Sequence, residues 1–373
     1  MKYVVPRIML ALIAAFLIFS SVNAQSEEVT ENSRAIEFPD IPGYLTLKCD
    51  LHMHTVFSDG SVWPDIRVQE ALRDGLDAIA LTDHIEYQPH QEDIPNPDRN
   101  RSYELALRAA RGTGLLVIPA AEITRSMPPG HFNALFVKNI NKLDQEDVME
   151  VFREAKRQGA FVFWNHPHWR AQKADGVAEL TEMHRRMLDE ELFSGIEVYN
   201  DATYSDEAFE IAGKYNLAVM GNSDVHGLVD WAFNVPEGGH RPVTLVFSKE
   251  KTVAAMKDAM EKRRTAVWFK NTLVGRQEYL TPLIEASLEG NRIGKGPVPT
   301  LEIHNHSDAD YIFENLSEYR LHNFPSVFIL KAHETATVMV KTLKSRESFE
   351  LKFRVLNTYI APDTHAEITL TVQ

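Results

Sequence analysis

One cysteine, Cys49, stands in 373 residues, so no internal disulfide can staple the fold. It lies in the strand-like stretch Leu-Thr-Leu-Lys-Cys-Asp-Leu at 45–51 and reads as a small buried side chain rather than a nucleophile. Basic runs are also missing. The chain has 39 Lys+Arg against 53 Asp+Glu, a net charge of −14, and no stripe of cations. Binding DNA or RNA needs a basic face that displaces counterions, so this balance argues against nucleic acid as the main partner. There is no internal repeat and no low-complexity segment, and the apolar run at 8–19 falls short of the roughly 20 residues a bilayer span prefers. What remains is ordinary globular composition, 44% hydrophobic and 25% charged, enough for one large domain and a smaller one.

The first residues read as an export signal. Lys2 and Arg7 precede an apolar run at 8–19, and Val22-Asn23-Ala24 supplies the small residues of a cleavage site. Cleavage after Ala24 predicts a periplasmic or secreted protein that keeps no stable membrane insertion, and the absence of Cys at the cut argues against a lipid anchor. Residues 25–44 form a polar, then Pro- and Gly-punctuated lead-in. From 45 to 280, strand-like runs at 46–53, 78–83, 115–123, 131–137, 161–165, 195–199, 217–222 and 242–247 alternate with helical patterns such as 64–74, 144–158, 206–215 and 249–263. The alternation predicts an α/β domain on a largely parallel sheet, with its chemistry at the C-terminal strand ends. Residues 281–373 change texture: alternating, β-branched and aromatic stretches predict an all-β, immunoglobulin-like sandwich.

The informative pattern is where histidines and carboxylates fall. His52 and His54 end the first strand two residues apart, on one face, followed by Asp59. His84 and Glu122 end the next two strands, His131 opens another, His166 ends the one after, and Asp224 and His226 close the series. Taken singly, each reads as a structural histidine or a capping carboxylate. Nine of them on six strand-end segments predict a polynuclear metal site of nitrogen and oxygen donors, suited to Zn, Mn or Fe. Arg125, three residues beyond Glu122, either contacts a phosphate or is tied to a nearby carboxylate. Asp83 reads as a partner of backbone or ligands, and the start of a strand sets His240 and Arg241 at the far end of the domain. In the tail, His304 and His306 read as solvated.

The segments Asp-Leu-His-Met-His-Thr-Val-Phe-Ser-Asp-Gly at 50–60, Thr82-Asp83-His84, Glu122, Asn165-His166-Pro167 and Ser223-Asp224-Val225-His226 resemble, in order, the motif series of the PHP (polymerase and histidinol phosphatase) family. Within it, the stretches at 82–87, 124–133 and 163–167 are similar to exported phosphodiesterases of the Sb-PDE type. The resemblance implies a distorted seven-stranded (β/α) barrel with two or three divalent metals. His52, His54, Glu122 and Asp224 would hold the first. Glu122 would bridge to a second held with His131 and His166, with His168 the alternative to His131. Asp59, His84 and His226 would hold a third. It also implies a small phosphoester substrate, a diester before a monoester, attacked by a metal-bridging hydroxide. A carbamate or carboxyl-ester hydrolase on the same site is the alternative.

Overall fold

The computed structural model describes residues 34–294 and 296–373, so the expected signal at 1–24 and the first part of the lead-in lie outside the described residues. The strands of the first half are β1 (Leu45–Met53), β2 (Ala78–Leu81), β3 (Leu116–Ile118), β4 (Ala120–Thr124), β5 (His131–Leu135), β6 (Phe161–Trp164), β7 (Gly195–Asn200), β8 (Thr203–Tyr204), β9 (Ala218–Asn222), β10 (Val243–Ser248), β11 (Thr265–Phe269) and β12 (Thr272–Gly275). The helices are α1 (Pro64–Arg73), α2 (Arg101–Ala109), α3 (Val148–Gln158), α4 (Glu182–Asp189), α5 (Asp206–Lys214), α6 (Val229–Ala232), α7 (Val253–Glu261) and α8 (Gln277–Ser287). Local chemistry accounts for the boundaries. Proline lacks an amide proton, and Pro119 divides the expected strand at 115–123 into β3 and β4. Helix α3 starts where the Asp147 carboxylate accepts the Glu150 N–H at 3.0 Å and stops at Gly159, whose φ of 76° favours a residue without Cβ.

The sheets are mixed rather than largely parallel. Pairs β1–β2, β2–β3, β6–β7 and β7–β9 are parallel, whereas β4–β5, β5–β6, β1–β10, β10–β11 and β11–β12 are antiparallel. The chain between β4 and β5 is too short for a crossover, which forces a hairpin there. Between β11 and β12, Lys270 and Asn271 both have positive φ, the geometry of a two-residue hairpin turn. One sheet carries β12-β11-β10-β1-β2-β3 and another carries β4-β5-β6-β7-β8 with β9 on β7. Continuous ladders do not close the two into a ring. Single bridges join them, Met53 to Val225 and His84 to Glu122. At Gly221 the packing is so close that a Cβ would sit 2.2 Å from Val267 Cγ1.

The tail is β-rich. Strands β13 (Leu288–Ile293), β14 (Thr300–Asn305), β16 (Arg320–Leu321) and β18 (Thr335–Lys341) form one sheet; β15 (Tyr311–Asn315), β17 (Val327–Leu330), β19 (Phe349–Ala361) and β20 (Thr364–Val372) form the other face. Leu301, Ile303, Phe313, Val338, Leu351 and Phe353 are buried in its core. This second face is not separate: β12 pairs in parallel with β19 through Leu273–Thr358 and Val274–Tyr359, so a ten-stranded sheet runs from one half into the other. Helix α8 spans residue 281, where the texture change was placed. Ser287 at its end accepts from the Tyr311 hydroxyl at 3.0 Å. Among the described residues no helix is long and apolar enough to cross a membrane.

Candidate metal centre

The bridges that join the two sheets lie at the strand ends where the polar side chains gather. His52 and His54 point the same way from the buried end of β1, and the antiparallel course of β5 brings its first residue, His131, beside Thr124 at the end of β4. Glu122 lies at the middle of the group. Its Oε2 is 2.9 Å from His84 Nδ1, 3.3 Å from His54 Nε2 and 3.5 Å from His52 Nε2; its Oε1 is 2.9 Å from His131 Nδ1 and 3.6 Å from His166 Nε2. Asp224 Oδ1 approaches His52 Nε2 at 3.1 Å and His54 Nε2 at 3.0 Å, and its Oδ2 is 3.9 Å from His166. Asp59 Oδ2 faces His84 Nε2 at 3.4 Å and His226 Nε2 at 3.3 Å.

The ligand atoms fall into four overlapping groups, each within 4.8 Å: His54, Asp59, His84 and His226; His52, His54 and Glu122; His52, His166 and Asp224; and His84, Glu122 and His131. All nine residues singled out in the sequence meet here. Three details differ from the implied grouping: His54 also turns its Nδ1 toward Asp59 (3.6 Å), His84 lies with Glu122 and His131 as well as with Asp59, and His166 lies with Asp224 as well as Glu122.

The donor set fits metal ions. His52 Nε2, His54 Nδ1, His131 Nδ1 and Glu122 Oε2 are buried and without a directed hydrogen bond, although oxygen and nitrogen neighbours stand close. Close approach off the donor direction means lone pairs converging on a space, which a cation satisfies and a proton shared pairwise does not. Burial and the neighbouring charges shift the titration of these side chains in opposite directions. Burial opposes a charged His52, but Asp224, Glu197 and Glu122 hold its pKa well above the usual range. His84 is likewise pushed up to about 10 against burial, by Glu122 and Asp59. His54 goes down to about 4 through burial and the neighbouring His84 charge. Glu122 and Asp224 stay well below the carboxylate range despite burial, because imidazoles surround them.

A layer behind these side chains fixes their orientation. Glu197, fully buried on β7, accepts from His52 Nδ1 at 2.9 Å, from the His166 amide at 2.9 Å, and from the side-chain amides of Asn200 and Asn222, both at 2.9 Å. This leaves His52 Nε2 directed into the centre. Sequence reasoning missed Glu197. The signal available was a carboxylate in an otherwise apolar strand, Gly-Ile-Glu-Val-Tyr-Asn. Asp83 serves backbone and loop: it accepts from the Thr55 amide at 2.7 Å and the Ser58 hydroxyl at 2.8 Å, which shapes the turn carrying Asp59. Asn165 donates to Glu122 Oε1 at 3.0 Å. His166 and Asp224 both have positive φ, 27° and 51°, a conformation that costs about 1–3 kcal/mol for a residue with a Cβ. Hydrogen bonds from the His166 N–H to the Glu197 carboxylate and from the Asp224 N–H to the His52 carbonyl (2.8 Å) hold them there.

Arg125 is ion-paired to Glu86 at 2.8 Å and reaches the carbonyls of Gln145 and Glu146, so its guanidinium ties its own loop to two neighbouring ones. His168 joins no ligand group and contacts the Thr203 hydroxyl at 2.8 Å. Arg241 is not at the far end. Because β10 runs antiparallel to β1, the residue lies near the end of β1, fully buried between Asp50 (3.1 Å) and Asp74 (2.6 Å). His240 stacks on Trp268, with ring centres 3.7 Å apart. In the tail, His306 pairs with exposed Glu289, and neither it nor His304 joins a ligand group. Cys49 is buried and free.

Residues 50–235 match the PHP domain, and residues 284–371 match an Ig-like domain. A two-domain protein from Bacteroides vulgatus ATCC 8482, containing a predicted PHP-like metal-dependent phosphoesterase, superposes with a TM-score of 0.85 at 40% identity, over 91% of this chain and 98% of that one. The chain belongs to the PHP family. The Bacteroides relative is likewise a two-domain protein, and the superposition runs across nearly the whole length of both chains. PsfC from Pseudomonas syringae PB-5123 aligns more loosely, with a TM-score of 0.41 and 17% identity over 60% of this chain and 92% of that one. No curated protein matches the chain.

Proposed function

We infer that the protein is an exported, metal-dependent phosphoester hydrolase that prefers small diesters. The observation that carries this reading is the sharing of Glu122 and His54 among adjacent groups of nitrogen and oxygen donors, which provides for more than one cation at one mouth. The relative at 40% identity contains a predicted metal-dependent phosphoesterase, which supports the reaction class. His52, His54, Asp59, His84, Glu122, His131, His166, Asp224 and His226 would hold two or three divalent ions, Zn, Mn or Fe. When bound, such ions acidify water and neutralise the phosphoryl oxygens as attack proceeds. The chain's own part is orientation: Glu197 sets His52, Asn165 sets Glu122, and Asp83 sets the Asp59 turn. Arg125 anchors its loop to Glu86 in this reading.

The same reading takes β1, β2, β4, β5, β6, β7 and β9 as the wall of one distorted seven-stranded barrel, supported by the two bridges between the sheets. Residues 1–24 would be the export signal, 45–280 the hydrolase and 281–373 the sandwich. The acidic balance of the chain favours a small substrate over a nucleic-acid polymer.

The test compares bis(p-nitrophenyl) phosphate with p-nitrophenyl phosphate, using protein that starts at Gln25 and is loaded in turn with Mn, Zn and Fe. Expected is faster turnover of the diester, abolished by chelator and by His52→Ala or Asp224→Ala, both with reduced metal content. Monoester preference moves the enzyme to phosphatase chemistry. Turnover of carbamate or carboxyl esters alone removes phosphorus from the reading.

A further inference from the structure

Two aromatic rings stand over the candidate metal centre in a way that none of the metal chemistry requires. Each follows a centre histidine by three residues: His84-Ile85-Glu86-Tyr87 and His166-Pro167-His168-Trp169. A tight turn folds Trp169 back, and a side-chain bond pins the backbone beside Tyr87. The Trp169 amide donates to the His166 carbonyl at 2.9 Å, and the Gln88 side-chain amide donates to the His84 carbonyl. The Tyr87 ring meets His84 edge-on at 5.8 Å. Trp169 meets His166 at 5.2 Å and His131 at 5.7 Å. His84 and His131 themselves lie 5.8 Å apart, so Tyr87, His84, His131 and Trp169 form a chain with an aromatic at either end and imidazoles between, with His166 as a fifth ring against Trp169.

Tyr87 is 52% exposed and Trp169 46% exposed, whereas Trp164 of the same segment is fully buried. A large ring gains most by burial, so two half-open rings fixed against the site are surface prepared for something else to cover. Aromatic rings in this position recognise flat π-faces by offset stacking. A quaternary ammonium group calls for an aromatic enclosure with a free anion beside it. Here only two walls are present, and the carboxylate next to Tyr87, Glu86, is already paired with Arg125.

We propose that Tyr87 and Trp169 form a stacking cradle at the mouth of the metal centre that selects phosphoesters whose organic group carries a flat aromatic ring. The inference rests on the phosphoesterase reading and assigns its substrate class.

The experiment measures binding, by calorimetry on the metal-loaded protein, of benzylphosphonate, butylphosphonate and 2-(trimethylammonio)ethylphosphonate, none of which has an ester to cleave. Benzylphosphonate is expected to bind roughly tenfold tighter than butylphosphonate. That gap should shrink below about twofold in Tyr87→Ala/Trp169→Ala and largely return in Tyr87→Phe/Trp169→Phe, which keeps the faces. Equal binding of the benzyl and butyl compounds, the tightest binding by the ammonium compound, or a phenylalanine variant no better than alanine overturns the cradle and leaves the phosphoesterase reading standing. If no phosphonate binds and neither nitrophenyl phosphate turns over, both fall together.

Discussion

Glu197 has its acceptors committed in four directions at once: a ring nitrogen, a backbone amide and two side-chain amides, all at 2.9 Å and fully buried. Such a carboxylate fixes which nitrogen of His52 is left for a metal and also supports the strained backbone of His166. Replacing it with Gln keeps the volume but turns an amide donor toward groups that are themselves donors. Glu197→Gln should weaken metal binding by about 10- to 100-fold, read by competition with a chelating dye. Its circular dichroism should match that of the parent. Unchanged metal affinity would show that His52 needs no such partner. The nine centre residues were legible because each is a histidine or carboxylate at the end of a recognisable strand. Glu197 was not: its partner His52 lies 145 positions away, and nothing local to β7 records that distance.

Among the elements, α4 shows how a helix start can secure a loop of the site. His184 sits in its first turn, with Nδ1 accepting the Thr181 amide at 3.1 Å and Nε2 donating to the Pro129 carbonyl at 2.7 Å. Its ring lies 4.1 Å from Trp164. Burial pushes the His184 pKa down to about 4, assisted by Arg185 and opposed by the Pro129 bond. Folding therefore favours the neutral ring. The contribution is fully present above the unfolded pKa near 6.5 and is lost as pH falls from there toward 4. The loss should be about 2 kcal/mol between pH 7 and pH 5, seen in urea midpoints as a steeper acid dependence than in His184→Gln. Equal slopes would mean that the ring takes up its proton without disturbing the cap. At this scale the order of strands and helices in the first half was largely readable, since apolar periodicity is local. Direction was not. Whether β5 and β10 run with or against their neighbours depends on connections and partners, and α8 was hidden because Pro282 and a mixed pattern blur its period.

At the scale of the whole molecule, the sheet that passes from β12 to β19 ties the tail to the half that carries the metal centre. Around that junction, Asn357 donates to the carbonyls of Asn271 and Asp310, both at 2.7 Å, and Glu37 and Asp308 exchange hydrogen bonds at 2.8 and 3.0 Å. The composition could reveal a β-rich tail but not this seam, which exists only between residues far apart in sequence. Calorimetry should therefore show one cooperative unfolding transition for both halves. Two resolved transitions would show that the seam carries little energy.

The order in which a ribosome releases the chain gives this seam a temporal side. Strand β12 is complete at Gly275, but its neighbour β19 begins only at Phe349. Until those later residues emerge, the metal-bearing half presents an open strand edge of the kind that recruits other chains. A message cut short within the tail would thus yield, from an otherwise finished catalytic half, a polypeptide prone to aggregate.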